Sequence, residues 1–333
     1  MEIKDGGSAI YGKIGATIDS AANYSGGTCP INVYSGGELI DRVETISIGP
    51  NQEINLLGGT LRCGRRLGYT TITADAGTYV NLLTLADGAL VTSPKPIRIG
   101  YQRDDGRWMV RGSSPSVCDA ELVLFSRKQS TTDPMAFTFD VWDVTDSDAV
   151  DFTLNGPLGN KNVSDYSYGY IVKTGSGTML MNGAAPASNK RMKLPIEIQG
   201  GTLAIGSAGA AQSSSATAGF KLAGGNLAIS DAVACTDVGP LTVAAAGTLK
   251  VGTGASIAFA DSSAAEWTLP TGSHLIIDAD LDKDSTAVRF GANANGLSHA
   301  QLSRIRTTDG ARVAMDASGY LHENYIGFRI EIR

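Results

Sequence analysis

The sequence predicts an all-β protein folded as a parallel β-helix, a solenoid in which short strands stack coil upon coil. One phrase recurs: one or two glycines precede a short run of alternating apolar residues, and the residues directly after the last glycine are Thr178, Thr202, Asn226 and Thr248. The steps of 24, 24 and 22 residues fall in the range typical of solenoids. Glycine is abundant, at 41 residues, and only 18% of the chain is charged, which argues against a helical protein.

Each position of the repeated phrase has a physical reason. Glycine supplies the positive φ that a sharp corner requires, and threonine or a β-branched residue suits the strand that follows. Alternate residues of that strand point to the interior of the coil. Stacking therefore predicts an apolar ladder made of Leu180 or its neighbour Met179, followed by Leu203, Leu227 and Leu249.

The same phrase occurs in the first third of the chain, at residues 58–61 (GGTL), and a related one at residues 36–39 (GGEL) lies 22 residues earlier. We therefore expect N-terminal coils over residues 1–93. Residues 94–182 are richer in aromatic side chains, with longer loops around the alternating run 137–144. This composition indicates wider, irregular coils, and a β-sandwich inserted into the solenoid is the alternative.

Regular coils are expected over residues 183–287, and a capping module over residues 288–333. Ser298 and Gln301 have the spacing of a capping box, and Leu297, Leu302 and Ile305 would share one face of the helix. We expect this helix, of about two turns, to cover the last coils, because an uncovered terminal coil exposes a sheet edge.

Composition also bears on partners and location. The net charge of −6 argues against a nucleic-acid partner, which requires clustered Lys and Arg. No apolar run is long enough to predict a membrane-spanning helix. The first residues lack the apolar core of a signal peptide, and we interpret the chain as a mature segment of an exported protein.

The four cysteines are Cys29, Cys63, Cys118 and Cys235. They show no C-x-x-C spacing, so they do not indicate a zinc site. We favour buried thiols in narrow coils; one or two disulfide bonds are the alternative outside the cell, and the sequence does not pair them.

Residues 174–183 and 196–206 resemble the autotransporter-associated β-strand repeat, whose usual form is G-x-G-T-L-x-L-x-G, a loop, a strand and then G-G-T-L-x-x-G. Residues 288–291, 297–306 and 316–321 resemble the closing module of such repeat proteins. The resemblance covers about residues 165–325. It implies a right-handed parallel β-helix, export and a passenger or adhesin role, and it implies no catalytic residues. The chain departs from the family after Leu321, where a tail stands in place of a short sorting anchor.

Four alternating aspartates form a candidate metal site: Asp278, Asp280, Asp282 and Asp284. On a strand they would share one face, and clustered carboxylates attract Ca²⁺. The spacing fits neither an EF-hand nor the nonapeptide of calcium-binding β-rolls. We favour a solvated acidic edge that resists edge-to-edge pairing, and we expect no cofactor.

A second acidic cluster flanks Trp142 and consists of Asp140, Asp143, Asp146, Asp148 and Asp151. An aromatic ring beside carboxylates is typical of sites that bind and cleave sugars, with two carboxylates as acid and as base or nucleophile. In this interpretation Asp140 and Asp143 are catalytic, and Trp108 and Trp142 bind the ligand. We favour the simpler interpretation, in which Trp142 anchors the core and the aspartates form turns.

The function expected from these features is non-catalytic: a segment of an exported bacterial cell-surface or extracellular protein, used as a stalk, an adhesin or a self-assembling fibre subunit. A glycan, an extracellular protein or another copy of the chain would be the partner. The competing expectation is a carbohydrate-active β-helix enzyme, a polysaccharide lyase or glycoside hydrolase, with an acidic site in the middle region.

Overall fold

The structure is a computed structural model, and it describes residues 2–11, 30–41, 53–63, 78–94, 96–100, 106–124, 134–160, 169–185, 194–211 and 218–324. Within these ranges the regular structure is 31 short strands, one four-residue 3₁₀ segment and one four-residue α-helix. Nearly all strand pairs are parallel and join successive coils. The prediction of an all-β parallel solenoid is confirmed.

Sheet A forms the first side of the coils and contains ten parallel strands, each bonded to the next one along the sheet. Its strands are β1 (Glu2–Ile3), β3 (Ile31–Tyr34), β5 (Glu53–Leu57), β8 (Leu82–Ala86), β11 (Arg107–Arg111), β14 (Met135–Val141), β17 (Gly169–Thr174), β19 (Ile196–Ile198), β21 (Phe220–Leu222) and β24 (Leu241–Val243).

Sheet B forms the second side and contains twelve parallel strands. Its strands are β2 (Ser8–Tyr11), β4 (Glu38–Asp41), β6 (Thr60–Cys63), β9 (Leu90–Thr92), β12 (Ser116–Cys118), β15 (Val150–Leu154), β18 (Thr178–Met181), β20 (Thr202–Ile205), β22 (Asn226–Ile229), β25 (Gly247–Val251), β27 (Leu275–Asp278) and β29 (Ile305–Thr307).

A third side is present in two stretches of the solenoid. Sheet C contains β7 (Thr78–Tyr79), β10 (Ile97–Ile99), β13 (Leu122–Leu124) and β16 (Leu158–Asn160), and sheet D contains β23 (Ala234–Val238), β26 (Ser256–Phe259) and β28 (Val288–Phe290). Between these stretches, the 3₁₀ segment Ala208–Ala211 follows the sheet B strand.

The repeated phrase lies where the sequence predicts. Thr178 pairs with Thr202, and Thr202 with Asn226, so a step of 24 residues is one coil. Leu227 then pairs with Leu249 across the shorter step. The predicted ladder is confirmed with Met179 as its member, because the side chain of Met179 is buried and that of Leu180 is partly exposed.

The corner glycines are required by close packing between coils. Gly201 has φ +59°, and a Cβ there would lie 2.3 Å from the carbonyl oxygen of Gly177 in the preceding coil. A side chain at this corner would therefore meet backbone as well as an unfavourable left-handed conformation.

The described parts of residues 94–182 continue the coils. Sheet A passes through this region as β11, β14 and β17, and sheet B as β12, β15 and β18, with every pair parallel. No separate sandwich is present among the residues described there. The connection from sheet A to sheet B is longest after β14, between Val141 and Val150, and the sheets themselves do not break.

An aromatic cluster fills the interior of these coils. Trp108, Phe137, Phe139 and Phe152 are fully buried. The Phe139 ring centroid lies 5.8 Å from that of Trp108, 5.4 Å from that of Phe137 and 6.1 Å from that of Phe152. Large rings that contact one another edge to face fill the interior of these coils.

The predicted cap is present in the structure. α1 (His299–Leu302) begins with both hydrogen bonds of the capping box between Ser298 and Gln301, and it is one turn long instead of two. The buried side-chain amide of Gln301 donates to the carbonyl oxygens of Ser262 and Ala265, each at 2.9 Å. This network ties the helix to the last coils.

An antiparallel hairpin completes the C-terminal end. It consists of β30 (Val313–Met315) and β31 (Leu321–Glu323). The amide of Phe290 in β28 donates to the carbonyl oxygen of Gly319 in the hairpin turn at 2.9 Å, and the amide of Glu323 donates to the carbonyl oxygen of Leu281 at 2.8 Å. The hairpin therefore covers the edge of sheet D.

The cysteine prediction is confirmed for three of its four members. Cys63, Cys118 and Cys235 are buried thiols in the coil interior. Burial raises the pKa of Cys118 to about 12 and that of Cys235 to about 11, since an apolar interior disfavours a thiolate. Cys29 lies outside the described residues.

Two buried serines give a matched test of hydrogen bonding inside the coil. The Ser116 hydroxyl is buried without a hydrogen-bond partner among the described residues. The Ser262 hydroxyl accepts from the amide of Leu241 and donates to the carbonyl oxygen of Ala260, each at 3.0 Å. Ser116→Ala is expected to raise the free energy of unfolding by about 1 kcal/mol, and Ser262→Ala to lower it by about 1–3 kcal/mol. Urea denaturation of both variants measures the difference, and equal changes would contradict the assignment.

Candidate functional site

The candidate site is the corner of the coil that follows β14, where the chain leaves sheet A. Phe137, Phe139 and Val141 of β14 point inward, so the next residue, Trp142, points outward. Trp142 is 54% exposed, and among the described residues it is the one large hydrophobic residue that is exposed. The favoured interpretation of Trp142 as a core anchor is therefore wrong. Because inward and outward residues alternate along a strand, the sequence alone could have shown that Trp142 points outward.

Trp108 is a buried anchor of the core, which is the role that the sequence interpretation gave to Trp142. Its ring is fully buried, and its indole N–H donates to the carbonyl oxygen of Val80 at 3.0 Å. It has no surface to offer a ligand, which removes it from the predicted ligand-binding residues.

Arg111 supports the Trp142 ring from the neighbouring strand. Val110 pairs with Val141, so Arg111 comes to lie beside Trp142, with its guanidinium carbon 4.0 Å from the ring centroid. The same guanidinium forms a 2.5 Å ion pair with the Asp140 carboxylate and donates to the carbonyl oxygens of Asp140 and Val110 at 2.8 Å. A cation–π stack and these bonds hold the ring from one face. Sequence reasoning missed Arg111, which lies 29 residues before Asp140.

The loop after Trp142 carries exposed carboxylates. Asp143 accepts from the amide of Ser147 at 3.2 Å and from the Thr145 hydroxyl at 3.4 Å, and its own amide donates to the Ser176 hydroxyl at 3.4 Å. Asp146 and Asp148 are exposed, and Asp146 has φ +51°. These three residues lie in the loop between β14 and β15, where the Asp143 side chain supports a turn. The turn interpretation is wrong for Asp140 and Asp151, which lie in β14 and β15.

Asp151 differs from the other aspartates, because it is fully buried. Its Oδ1 accepts from the amides of Val144 and Thr145 at 2.9 and 3.1 Å and from the Thr145 hydroxyl at 3.1 Å. Its Oδ2 accepts from the amide of Thr178 in the next coil at 2.7 Å. β15 is irregular at this point, since Val150 and Phe152 pair with consecutive residues of β18 and Asp151 is the extra residue.

Lys173 is a buried cation in the next coil. Its ammonium donates to the carbonyl oxygens of Thr174, Gly175 and Gly200 at 2.9, 3.1 and 2.9 Å, so it joins two successive corners. Burial lowers the pKa of Lys173 to about 8, and attraction to Asp140 and Asp151 opposes that shift.

Asp140 and Trp142 both contact Arg111, and Asp143 follows Trp142 in the loop. Glycoside cleavage requires two carboxyl groups that face the sugar, one as acid and one as base or nucleophile. Asp140 is committed to Arg111, and Asp143 supports the turn of its own loop. The catalytic assignment of these two residues stays a prediction.

The predicted calcium residues do not share a strand. Asp278 is the last residue of β27, and Asp280, Asp282 and Asp284 follow in a loop. Asp280 accepts from the amide of Asp282 at 3.2 Å, and Lys283 lies 3.9 Å from Asp284 on the surface. In the described part of the chain, no three His, Cys, Asp or Glu side chains are grouped so that they could hold a metal ion. The expectation of a common strand face is wrong, because the strand ends at Asp278.

No protein-family model, curated protein or solved structure matches this chain significantly. The parallel β-solenoid is consistent with a β-helix repeat protein, and no family match confirms the particular repeat that residues 165–325 resemble. Among the described residues, no helix has the length and apolar character to cross a bilayer.

The lowered pKa of the buried Lys173 indicates that the folded chain becomes more stable as the pH rises above about 8. Its pKa falls from an ordinary 10.5 to about 8 in the folded chain. Between these values the unfolded chain holds more protons, so the free energy of unfolding should rise with pH, by about 3 kcal/mol in total from this group. Below pH 8 both states are protonated and the contribution is constant.

The comparison that isolates Lys173 is Lys173→Met, measured by urea denaturation between pH 7 and pH 10.5. Cys118 and Cys235 act in the opposite direction above about pH 9, because their folded pKa values are raised. Both chains contain these thiols, so the difference between the two pH profiles reports Lys173. Parallel profiles would contradict the assignment.

Proposed function

We propose that the chain is a non-catalytic segment of an exported bacterial cell-surface or extracellular protein, in which the solenoid serves as a stalk or adhesin scaffold. The observation that carries this proposal is the continuity of sheets A and B. Ten and twelve parallel strands stack without a break along the described chain. At about 4.8 Å per strand, the twelve strands of sheet B extend for about 50 Å.

The interior of this stack favours a load-bearing role. Inward residues such as Leu203, Leu227 and Leu249 stack on one another from coil to coil, and each is buried. Each coil thereby buries the apolar side chains of the coils next to it, and the backbone hydrogen bonds run along the axis of the stack. A body of this kind holds its surface loops at fixed distances.

The two ends bear on the fibre variant of the proposal. Stacking head to tail requires uncovered strand edges at both ends. At the C-terminal end, the Phe290 amide is bonded to the hairpin turn at Gly319, and α1 is tied to the last coils through Gln301. The covered edge of sheet D favours a stalk or adhesin over a self-assembling fibre.

Two measurements test the proposal. Antibodies against the folded chain should label intact cells of the source organism, and labelling that appears after lysis alone would overturn the export claim. Incubation with a panel of polysaccharides should release no new reducing ends and no unsaturated products. Product formation abolished by Asp140→Ala or Asp143→Ala, but not by the matched loop variant Asp148→Ala, would establish the competing carbohydrate-active enzyme.

A further inference from the structure

The Trp142 residue is exposed, and among the described residues only the Arg111 side chain stacks on its ring. Arg111 of the preceding coil stacks on the first face. The next coil passes this corner as residues 174–177, with the sequence Thr-Gly-Ser-Gly. Gly175 has φ +77°, and a Cβ at Gly177 would lie 2.3 Å from the carbonyl oxygen of Trp142. Backbone packing therefore demands small residues here, and these small residues leave the ring open.

The open face lies beside hydrogen-bonding groups. The exposed Asp143 carboxylate follows the ring directly, and the exposed Ser176 side chain belongs to the small residues of the next coil. The Ser176 hydroxyl accepts from the Asp143 amide at 3.4 Å, which leaves its own O–H to donate. A flat apolar surface with polar groups at its rim matches a pyranose, whose C–H face packs on the negative face of an aromatic ring while its hydroxyls bond around the edge.

Charge decides among the ligands that an aromatic ring accepts. Asp143, Asp146 and Asp148 are exposed on the adjoining loop and repel an anion. A cation on the second face gains less from the ring, because Arg111 already draws on the same quadrupole from the first face. A neutral ligand avoids both penalties.

The Trp142 ring is also held in place before a ligand binds, because the Arg111 guanidinium that stacks on it is fixed. The guanidinium of Arg111 is fixed by the Asp140 carboxylate and by two backbone carbonyls. A fixed ring loses little freedom on binding, which favours affinity from a small contact.

We propose that Trp142, with the small residues 175–177 beneath it, binds a pyranose unit of a neutral glycan. This inference rests on the proposed function, since it gives the scaffold its ligand class. The glycan stacks on the face of the ring that Arg111 leaves uncovered, and Asp143 and Ser176 bond its hydroxyls.

The test is calorimetric titration of the full chain with cellohexaose, mannohexaose and N-acetylated chitohexaose, alongside hexagalacturonate and hexalysine. At least one neutral hexasaccharide should bind, and it should protect Trp142 fluorescence from acrylamide. Trp142→Ala should lower the association constant at least about tenfold, and Trp142→Phe should lower it less. Ser176→Leu, which fills the open face but keeps the ring, should also lower it about tenfold. The exposed sheet B variant Lys250→Ala is the control and should bind as the parent does.

Absence of binding by all three neutral hexasaccharides overturns the proposal, as does equal binding by Trp142→Ala. Tighter binding of hexagalacturonate or hexalysine that depends on Trp142 overturns the neutral ligand class. Unchanged unfolding midpoints for the variants show that the fold is kept, since both replaced side chains are exposed. Surface labelling and the product assay do not depend on Trp142, so failure of the glycan site and failure of the scaffold proposal give different results.

Discussion

Asp151→Ala is expected to lower the free energy of unfolding by about 3–5 kcal/mol. The buried carboxylate accepts three backbone N–H groups, from Val144, Thr145 and Thr178, in addition to the Thr145 hydroxyl. Alanine would leave these donors buried without acceptors and would remove an anion that attracts Lys173. The loss falls on two coils at once, because Thr178 belongs to the coil after Asp151.

Urea denaturation and native-state hydrogen exchange of the Thr178 amide measure this effect. Asp151→Asn retains one acceptor oxygen and should cost less than alanine. Asp148→Ala, in the exposed part of the same loop, should change the free energy of unfolding by less than about 0.5 kcal/mol. Similar effects of Asp151→Ala and Asp148→Ala would show that Asp151 does not hold the two coils together.

Phe139→Ala is expected to lower the free energy of unfolding by about 3–5 kcal/mol. The ring is fully buried and lies within 6.1 Å, centroid to centroid, of Trp108, Phe137 and Phe152. Its removal leaves a cavity in the core and ends three ring contacts. The surrounding strands are fixed by parallel pairing on both sides, so they cannot close the cavity.

The matched variants separate volume from position. Phe139→Leu keeps most of the volume and should cost less than half as much as alanine. Met109→Ala alters a partly exposed residue on the adjacent strand and should cost about 1 kcal/mol or less. Unfolding of a stacked fold can proceed in stages, so calorimetry and hydrogen exchange should accompany the denaturant curves. A Phe139→Ala cost no larger than that of Met109→Ala would contradict this account of the core.

Much of the fold could be predicted because its signals are local. The glycine phrase places the corners, alternation gives the inward residues, and Ser298 with Gln301 marks the start of α1. The direction of Trp142 was also readable, since it follows an inward Val141. The prediction went wrong where a large aromatic residue was assumed to be buried, against the parity of its own strand.

The candidate site depends on register between coils, which no local pattern contains. Arg111 reaches Asp140 across 29 residues, and Lys173 reaches the carbonyl oxygen of Gly200 across 27. Loops in this region differ in length from coil to coil, so the period does not say which residues will be neighbours. The four alternating aspartates show the same limit, because a strand that ends at Asp278 removes the common face that their spacing suggests.

The amino-acid pattern is sufficient for the solenoid, its ladder and its cap, because each coil repeats the same short-range requirements for corners, strands and buried alternate positions. The stacked structure was needed to show the Arg111–Trp142 stack, the buried Asp151 and Lys173, and the uncovered face of the ring. These features arise from contacts between coils. The close approach of two backbones requires glycine at one corner, and the absence of side chains there leaves room for an exposed aromatic ring on the neighbouring coil.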